Sequence, residues 1–178
     1  MNGTAPLVVL VPVADRARFW NVHQKYLYEM TRFYPEDMDD AGNLHYGHFE
    51  SYFAGDPDRH AFYLRADGRE VGFALINRYS HLGREIDHAL AEFTVYPSYR
   101  GRGYAREAVG LLFARWPGRW ELKYNTANAP AARLWTSVTL PYAPEHTAVG
   151  DREVVLSFRV GTDGGHRPTP AGIGGTLP

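Results

Sequence analysis

The sequence predicts a mixed α/β domain in which a central sheet is flanked by helices. Short β-branched or aromatic runs alternate with segments whose apolar residues recur every three or four positions, as strands and amphipathic helices do. The pair Asp67-Gly68 between two strand-like runs predicts a β-hairpin. Another strand leads through the Gly/Arg segment 100–103 directly into a helix. With 178 residues, the chain can bury the core of one domain.

The first half of the chain is predicted to alternate strands with helices. The predicted elements are a strand over 7–13, a helix over 15–31, a shorter helix over 44–54, and strands over 61–65 and 70–79. Pro12 indicates that the first strand lies at an edge, because proline cannot donate a hydrogen bond to a neighbouring strand. Asp15 can cap the first helix, whose apolar residues follow helical spacing.

The second half continues this alternation and ends in a tail. The predicted elements are a strand over 88–96, a helix over 103–116, a strand over 120–124, a helix over 128–138, a weak strand over 144–149 and a strand over 154–160. Pro117-Gly118 ends one helix, and Asn128 caps the next. Residues 1–160 are thus predicted to form a single domain, and the Gly/Pro-rich residues 161–178 a disordered tail.

The overall composition excludes several classes of function. A formal net charge of −1 provides no field that would attract nucleic acid or an anionic membrane surface. The lack of cysteine excludes a disulfide framework, a thiolate metal site and a cysteinyl acyl-enzyme. No run reaches the roughly 18 apolar residues of a membrane helix, and no basic leader precedes the first strand. We therefore expect a cytoplasmic protein that binds neither nucleic acid nor membrane.

The Gly/Arg segment between the strand over 88–96 and the next helix predicts an anion site. The first N–H groups of a helix lack intrahelical partners, and the helix dipole is positive at this end. Gly101 and Gly103 allow the backbone to curl around an anion, while Arg100 and Arg102 add positive charge. We expect phosphate groups to bind here.

Three other kinds of site fit the sequence less well. A dinucleotide fold would require a third glycine where Arg106 stands, and an acidic ribose ligand after the strand that ends at Tyr124. A P-loop would require a Gly-Lys-Ser/Thr sequence, which is absent. The pair His45 and His48 lacks a convincing third metal ligand, so no metal site is predicted.

Two motifs and the order of elements resemble the GCN5-related N-acetyltransferase (GNAT) superfamily over roughly residues 7–160, in a branch of predicted acetyltransferases. Residues 100–105, Arg-Gly-Arg-Gly-Tyr-Ala, match the family's Arg/Gln-x-x-Gly-x-Gly/Ala motif. Residues 128–135, Asn-Ala-Pro-Ala-Ala-Arg-Leu-Trp, match its Asn-x-x-Ala-x-x-Leu-aromatic helix. The resemblance implies a mostly antiparallel sheet whose strands splay apart near Val95 and Tyr124.

The resemblance also implies acetyl-CoA as cosubstrate and no metal. Backbone N–H groups of residues 101–106 would hold the pyrophosphate, and the main chain of Phe93 and Val95 would pair with the pantetheine amides. The cofactor residues implied are Phe93, Val95, Arg100, Gly101, Arg102, Gly103, Tyr104, Ala105, Arg106, Asn128, Ala131 and Trp135. The chain departs from the family at Trp135, where many members have the tyrosine that protonates the thiolate. It departs again at Lys123, where members that acetylate protein N-termini often have glutamate.

Acetylation of an amine requires a base, a polarised thioester and an acid for the thiolate. With no cysteine and no Gly-x-Ser-x-Gly elbow, direct attack in a ternary complex is favoured. Glu92, in an otherwise apolar strand, is the candidate base, although it could instead lie on a solvated face. His88 could act through water at the substrate site. Tyr124, with Tyr142 as alternative, is the candidate acid.

The acceptor is expected to be a primary amine of a small molecule. Tyr26 fits the core-facing stripe of its helix, whereas Tyr28 and Glu29 face elsewhere and are therefore candidate substrate residues. The acidic loop over 34–43 could attract an amine or be only a solvated loop. Two alternatives remain open, a non-catalytic acyl-CoA-binding module and an acyltransferase acting on a protein or peptide amine. A homodimer also remains open.

Overall fold

A computed structural model describes residues 7–161. Their regular elements are β1 (Val8–Pro12), α1 (Arg16–Met30), β2 (His60–Ala66), β3 (Arg69–Asn77), β4 (His88–Val95), α2 (Tyr104–Arg115), β5 (Gly118–Asn125), α3 (Ala129–Thr139), β6 (Glu145–Val149) and β7 (Glu153–Val160). The tail predicted for 161–178 lies, after Gly161, outside the described residues. Over the described part of the chain, no helix has the length and apolar character needed to cross a bilayer.

The strands form one sheet in the order β1-β2-β3-β4-β5-β7-β6. Neighbouring strands are antiparallel except β4 and β5, which are parallel. The predicted mixed α/β fold with a mostly antiparallel sheet is therefore confirmed. The proline-containing strand β1 lies at the sheet edge, as Pro12 indicated. The hairpin turn between β2 and β3 has positive φ at both Asp67 and Gly68, as a two-residue turn of this kind requires.

Helices pack on both faces of the sheet and enclose two apolar cores. One core lies under α1 and is aromatic, with Phe19, Phe49, Tyr63 and Phe73 among its buried members. The larger core lies under α2 and α3 and contains the fully buried Trp120. Side chains cap α1 and α3: the Asp15 carboxylate accepts from the Arg18 N–H at 2.9 Å, and the Asn128 amide oxygen from the Ala131 N–H at 3.3 Å.

The helix predicted over 44–54 is wrong, because only Glu50–Tyr52 form a short 3₁₀ turn there. The side chain of Gln24 on α1 takes both hydrogen-bonding groups of the Leu44 backbone, at 2.7 Å for its N–H and 2.9 Å for its carbonyl. Leu44 and Phe49 are buried as the segment crosses α1. Tertiary contacts thus satisfy and bury this segment without a regular helix.

Strands β4 and β5 separate beyond a short parallel pairing, which confirms the predicted splay. They pair only over residues 88–90 and 120–122. From there β4 continues along β3, and β5 continues along β7. At the point of separation, Glu92 pairs with Leu75 and Leu90 with Ile76, so Ala91 is an extra, unpaired residue. This β-bulge changes the facing of the side chains that follow it.

Candidate active site

The turn that precedes α2 forms an open cradle of backbone N–H groups. Gly101 and Gly103 adopt φ of 76° and 85°, a left-handed conformation that favours glycine. Within residues 7–161, the backbone N–H groups of residues 101–106 have no protein acceptor, and the first bond at this helix end joins the Glu107 N–H to the Gly103 carbonyl at 3.2 Å. A Cβ added at either glycine would meet no atom within 4 Å. These amides are free to bind an anion.

One edge of β4 is also free for an extended ligand. The Tyr96 N–H bonds to the Val71 carbonyl of β3 at 2.8 Å. Because the main-chain groups of successive strand residues alternate in direction, those of Phe93 and Val95 face the opposite edge, toward β5. β5 has diverged at this level. Within residues 7–161, the gap therefore exposes the main-chain groups of Phe93 and the N–H of Val95 beside the cradle, whereas the Val95 carbonyl accepts from the Arg100 Nε at 2.8 Å.

The arginines near the cradle have different environments. The Arg100 guanidinium forms two hydrogen bonds with the Glu29 carboxylate, both at 2.7 Å, and its Nε donates to the Val95 carbonyl at 2.8 Å. Arg102 contacts the Ser98 carbonyl and lies over a tyrosine ring. Arg106 donates to the Ser137 hydroxyl at 2.5 Å. Glu29, a predicted substrate residue, thus neutralises Arg100.

A cleft of about 600 Å³ connects the cradle with the gap between β4 and β5. Every predicted cofactor residue except Arg102 lines it: Phe93, Val95, Arg100, Gly101, Gly103, Tyr104, Ala105, Arg106, Asn128, Ala131 and Trp135. The Trp135 ring packs edge-on against Phe93 with centroids 5.3 Å apart. The structure therefore brings these residues together in one groove.

A second cavity of about 720 Å³, here called the acceptor cavity, shares part of its lining with the cleft. The shared residues are Tyr26, Met30, Phe93, Asn128, Ala131 and Trp135. Tyr34, Tyr46, Tyr79 and Tyr124 provide aromatic walls. Its ionisable residues are Glu36, Glu92, Arg59, Lys123, His45, His48 and His81. The two spaces meet where the strands part.

Glu92 lies in the acceptor cavity, directly after the bulge. The Tyr26 hydroxyl of α1 donates to its carboxylate at 2.5 Å. Burial raises the pKa of Glu92 from its ordinary value of 4.5 to about 7, although the hydroxyls of Tyr26 and Tyr46 partly offset this effect. A carboxylate with a pKa near neutrality can accept a proton at physiological pH and release it again.

Comparison with protein families identifies the fold. The model of the acetyltransferase (GNAT) family matches residues 19–138, which include the cradle, the bulge and both motifs. The chain belongs to the GNAT acetyltransferase family. No curated protein matches its sequence.

Solved GNAT structures share the architecture at low sequence identity. An acetyltransferase from Thermus thermophilus has a TM-score of 0.63 and 16% identity, covering 85% of this chain and 96% of its own. The GNAT domain of S. lividans PAT gives 0.60 and 17%, covering 85% and 89%. A chimera of the spermidine N-acetyltransferase SpeG from Vibrio cholerae and hSSAT gives 0.54 and 12%, covering 86% and 96%. At these identities the likeness concerns the fold.

Against this GNAT framework, the other predicted site residues lie in different places. Tyr124 on β5 lines the acceptor cavity. Tyr28 is 65% exposed on α1 and lines neither the cleft nor the acceptor cavity. His88 lies at the far end of β4, with its Nε2 3.3 Å from the Pro117 carbonyl. The alternative acid Tyr142 packs against Phe113 and Phe158 in the larger core.

Several residues of this GNAT site carry no signal of their role in the sequence. Tyr26 fits a core-facing stripe, and helical periodicity gives no sign that its hydroxyl reaches Glu92. Tyr46 and Arg59 lie outside helices and strands, where no periodic signal exists. Of the acidic side chains in the loop over 34–43, only Glu36 lines the acceptor cavity. Over residues 7–161, no three His, Asp or Glu side chains cluster closely enough to hold a metal ion.

Proposed function

We propose that this GNAT protein transfers the acetyl group of acetyl-CoA to a primary amine of a small molecule, by direct attack in a ternary complex. The observation that carries the proposal is the junction of two spaces. One holds backbone N–H groups at a helix start that have no acceptor in the described part of the chain, and the other holds a carboxyl group whose pKa is near neutrality. Amine acetylation uses both features, an anion site for the cosubstrate and a base for the acceptor.

The described residues fit coenzyme A by their donors and their free edges. The N–H groups of residues 101–106 would hold the pyrophosphate, since they have no acceptor among residues 7–161. The edge of β4 at Phe93 and Val95 would pair with the pantetheine amides. Asn128 and Ala131 line both spaces, beside the expected path of this arm. When bound, acetyl-CoA supplies an activated thioester.

Glu92 is proposed to take the proton that the attacking amine must lose. Above a pH of about 7 its carboxylate is ionised and can accept that proton. The amine nitrogen then forms a bond to the thioester carbon, and the bond from this carbon to sulfur breaks. The leaving sulfur takes a proton, for which the Tyr124 hydroxyl in the acceptor cavity is the proposed donor.

The shape of the acceptor cavity supports a small-molecule acceptor. Its walls include residues of α1, of the loop after α1 and of the loop after β3, so the space is bounded on several sides. A peptide acceptor would instead favour an open groove along the sheet. The non-catalytic alternative predicts that acetyl-CoA binds without turnover.

The test measures thiol release from acetyl-CoA with a panel of small amines, in the unaltered protein and in Glu92→Gln. We expect the unaltered protein to show a rate limb with a midpoint near pH 7. The variant should lose this limb and fall about 10²–10⁴-fold in kcat/KM near neutrality, while its acetyl-CoA affinity stays the same. Glu145→Gln, which removes an exposed carboxylate paired with Arg84, is the control. Tight acetyl-CoA binding without turnover across the panel would favour the non-catalytic module.

A further inference from the structure

Arg59, immediately before β2, is held in a fixed position in the wall of the acceptor cavity. Its backbone N–H and its side-chain Nε both bond to Asp56, each at 3.2 Å. Its guanidinium carbon lies 4.4 Å from the ring centre of Tyr79 and 5.2 Å from that of Tyr52. The Tyr79 hydroxyl in turn donates to the same Asp56 oxygen at 3.3 Å. Stacking and hydrogen bonds thus fix the direction of this guanidinium.

The terminal nitrogens of Arg59 have no protein partner in the described part of the chain. Only Nε is hydrogen-bonded, and no acceptor among residues 7–161 bonds to Nη1 or Nη2. The side chain is nevertheless only 9% exposed. A guanidinium stays charged at all physiological pH values, and its two terminal nitrogens form a planar fork that matches a carboxylate or phosphate. A fixed, little-exposed fork with free donors indicates a ligand anion.

The charges around the acceptor cavity favour an anionic ligand group over a polycation. Arg59 and Lys123 both line the cavity, whereas their partners Asp56 and Glu153 do not. The carboxylates in the lining are Glu36 and Glu92. Burial raises the pKa of Glu92 to about 7, so it carries only part of a charge near neutrality. A polyamine would bring further positive charge next to a fixed cation.

We propose that the acceptor amine also carries an oxyanion group, a carboxylate or a phosphate, which the terminal nitrogens of Arg59 bind. This inference rests on the proposed acetyl transfer for the role of the amine. It adds that Arg59 selects the acceptor: amino acids or phosphorylated amines are preferred over amines that lack the anion. Arg59 fixes the anionic end, while the amine lies toward Glu92 in the same cavity.

The test measures binding separately from turnover, by calorimetry in the presence of coenzyme A. The probes are matched pairs that differ in the anion: phenylalanine with phenethylamine, histidine with histamine, and phosphoethanolamine with ethanolamine. We expect at least one anionic member to bind about 10- to 100-fold more tightly than its partner, as a charge-assisted fork contact implies. The first two pairs report a carboxylate, and the third reports a phosphate.

Two variants of Arg59 and one control give the test its direction. Arg59→Gln should abolish the preference for the anionic member and leave binding of its partner unchanged. Arg59→Lys keeps the charge without the fork and should retain only part of the preference; it also replaces the first variant if that one fails to fold. Arg78→Gln removes an exposed arginine that pairs with Asp58 outside the cavity, and it should bind like the unaltered protein.

The outcomes separate this inference from the proposed function. The inference is overturned if no anionic member is preferred, or if Arg59→Gln weakens both members of a pair equally. Thiol release is then measured with the same probes. Anion-selective binding without any turnover would refute acetyl transfer but leave the assignment of Arg59 standing. Turnover without anion preference would refute the assignment of Arg59 but leave acetyl transfer standing.

Discussion

The Glu92→Gln substitution should make folding stability less dependent on pH. Glutamine has almost the shape of a protonated glutamate and can still accept the Tyr26 hydroxyl bond. It carries no charge at any pH. The variant therefore removes the ionisation of one cavity-facing carboxyl group and leaves its packing in place.

The magnitude follows from the two pKa values of Glu92. Its folded-state pKa of about 7 exceeds the ordinary value of 4.5, so the folded chain holds this proton more tightly than the unfolded chain. The stabilisation is complete below pH 4.5 and is lost as the pH rises through 7. Between pH 5 and pH 8 this group should cost the unaltered protein about 2.5 kcal/mol. That value is an upper bound, because the carboxyl group faces a cavity.

The assay is thermal or urea unfolding of both proteins at pH 5, 6, 7 and 8. The stability of the variant relative to the unaltered protein should rise by about 2.5 kcal/mol over this range, or about 5–10 °C in Tm for a domain of this size. Buried His23, whose pKa burial lowers to about 4, is common to both proteins and cancels in the difference.

Glu145→Gln is the matched control, because the pKa of Glu145 is shifted in the opposite direction to that of Glu92. Its hydrogen bond with Arg84 lowers the pKa of Glu145, so that carboxylate stabilises the fold above pH 4.5 and the contribution is lost as the pH falls through the folded value. Its removal should therefore not favour the variant at high pH. Parallel stability curves for Glu92→Gln and the unaltered protein would refute the raised pKa, and with it the base assigned to Glu92.

Two further substitutions test the cradle and the partner of the base. Gly103→Val should lose acetyl-CoA binding in calorimetry, because its side chain enters the space left for the pyrophosphate. Gly83→Val, at a glycine with a similar positive φ that lies outside both cavities, controls for backbone strain. Retained acetyl-CoA affinity in Gly103→Val would contradict the cradle. Tyr26→Phe removes a bond that stabilises the carboxylate, so the rate limb should move about one pH unit upward, whereas Tyr28→Phe should leave it in place. An unchanged midpoint in Tyr26→Phe would separate that hydroxyl from the base.

The parts of the site that were predictable depend on local backbone chemistry. Gly101 and Gly103 indicate the left-handed backbone of the cradle, because glycine adopts positive φ without strain. The helix caps at Asp15 and Asn128 are local signals as well. The helix prediction over 44–54 is wrong because hydrogen bonds from a side chain of α1 determine the structure of this segment. Local pattern cannot report contacts between residues far apart in sequence.

The direction of the Glu92 side chain also depends on contacts that a local pattern cannot report. A strictly alternating strand would place Leu90 and Glu92 on the same face. Leu90 packs in the larger core under α2 and α3, so alternation alone would put the carboxyl group among apolar side chains. The residue type of Glu92 therefore marks it as a candidate base, but the local pattern does not show which helix its side chain will meet.

The extra residue Ala91 links the proposed base, Glu92, to the cleft beside the cradle. Because it is unpaired, Ala91 and Glu92 both face α1, where Ala91 packs in the aromatic core and Glu92 meets the Tyr26 hydroxyl. Phe93 then returns to the face of Trp135. The parallel pairing with β5 ends at Leu90, just before the bulge, so the irregularity that aims the carboxylate coincides with the opening of the strand edge. If β4 kept all its residues but paired with β3 without the bulge, the Glu92 carboxyl group would point into the larger core. The main-chain groups of Phe93 and Val95 would then face β3 instead of the gap. The proposed base and the proposed edge for an extended ligand should therefore be lost together.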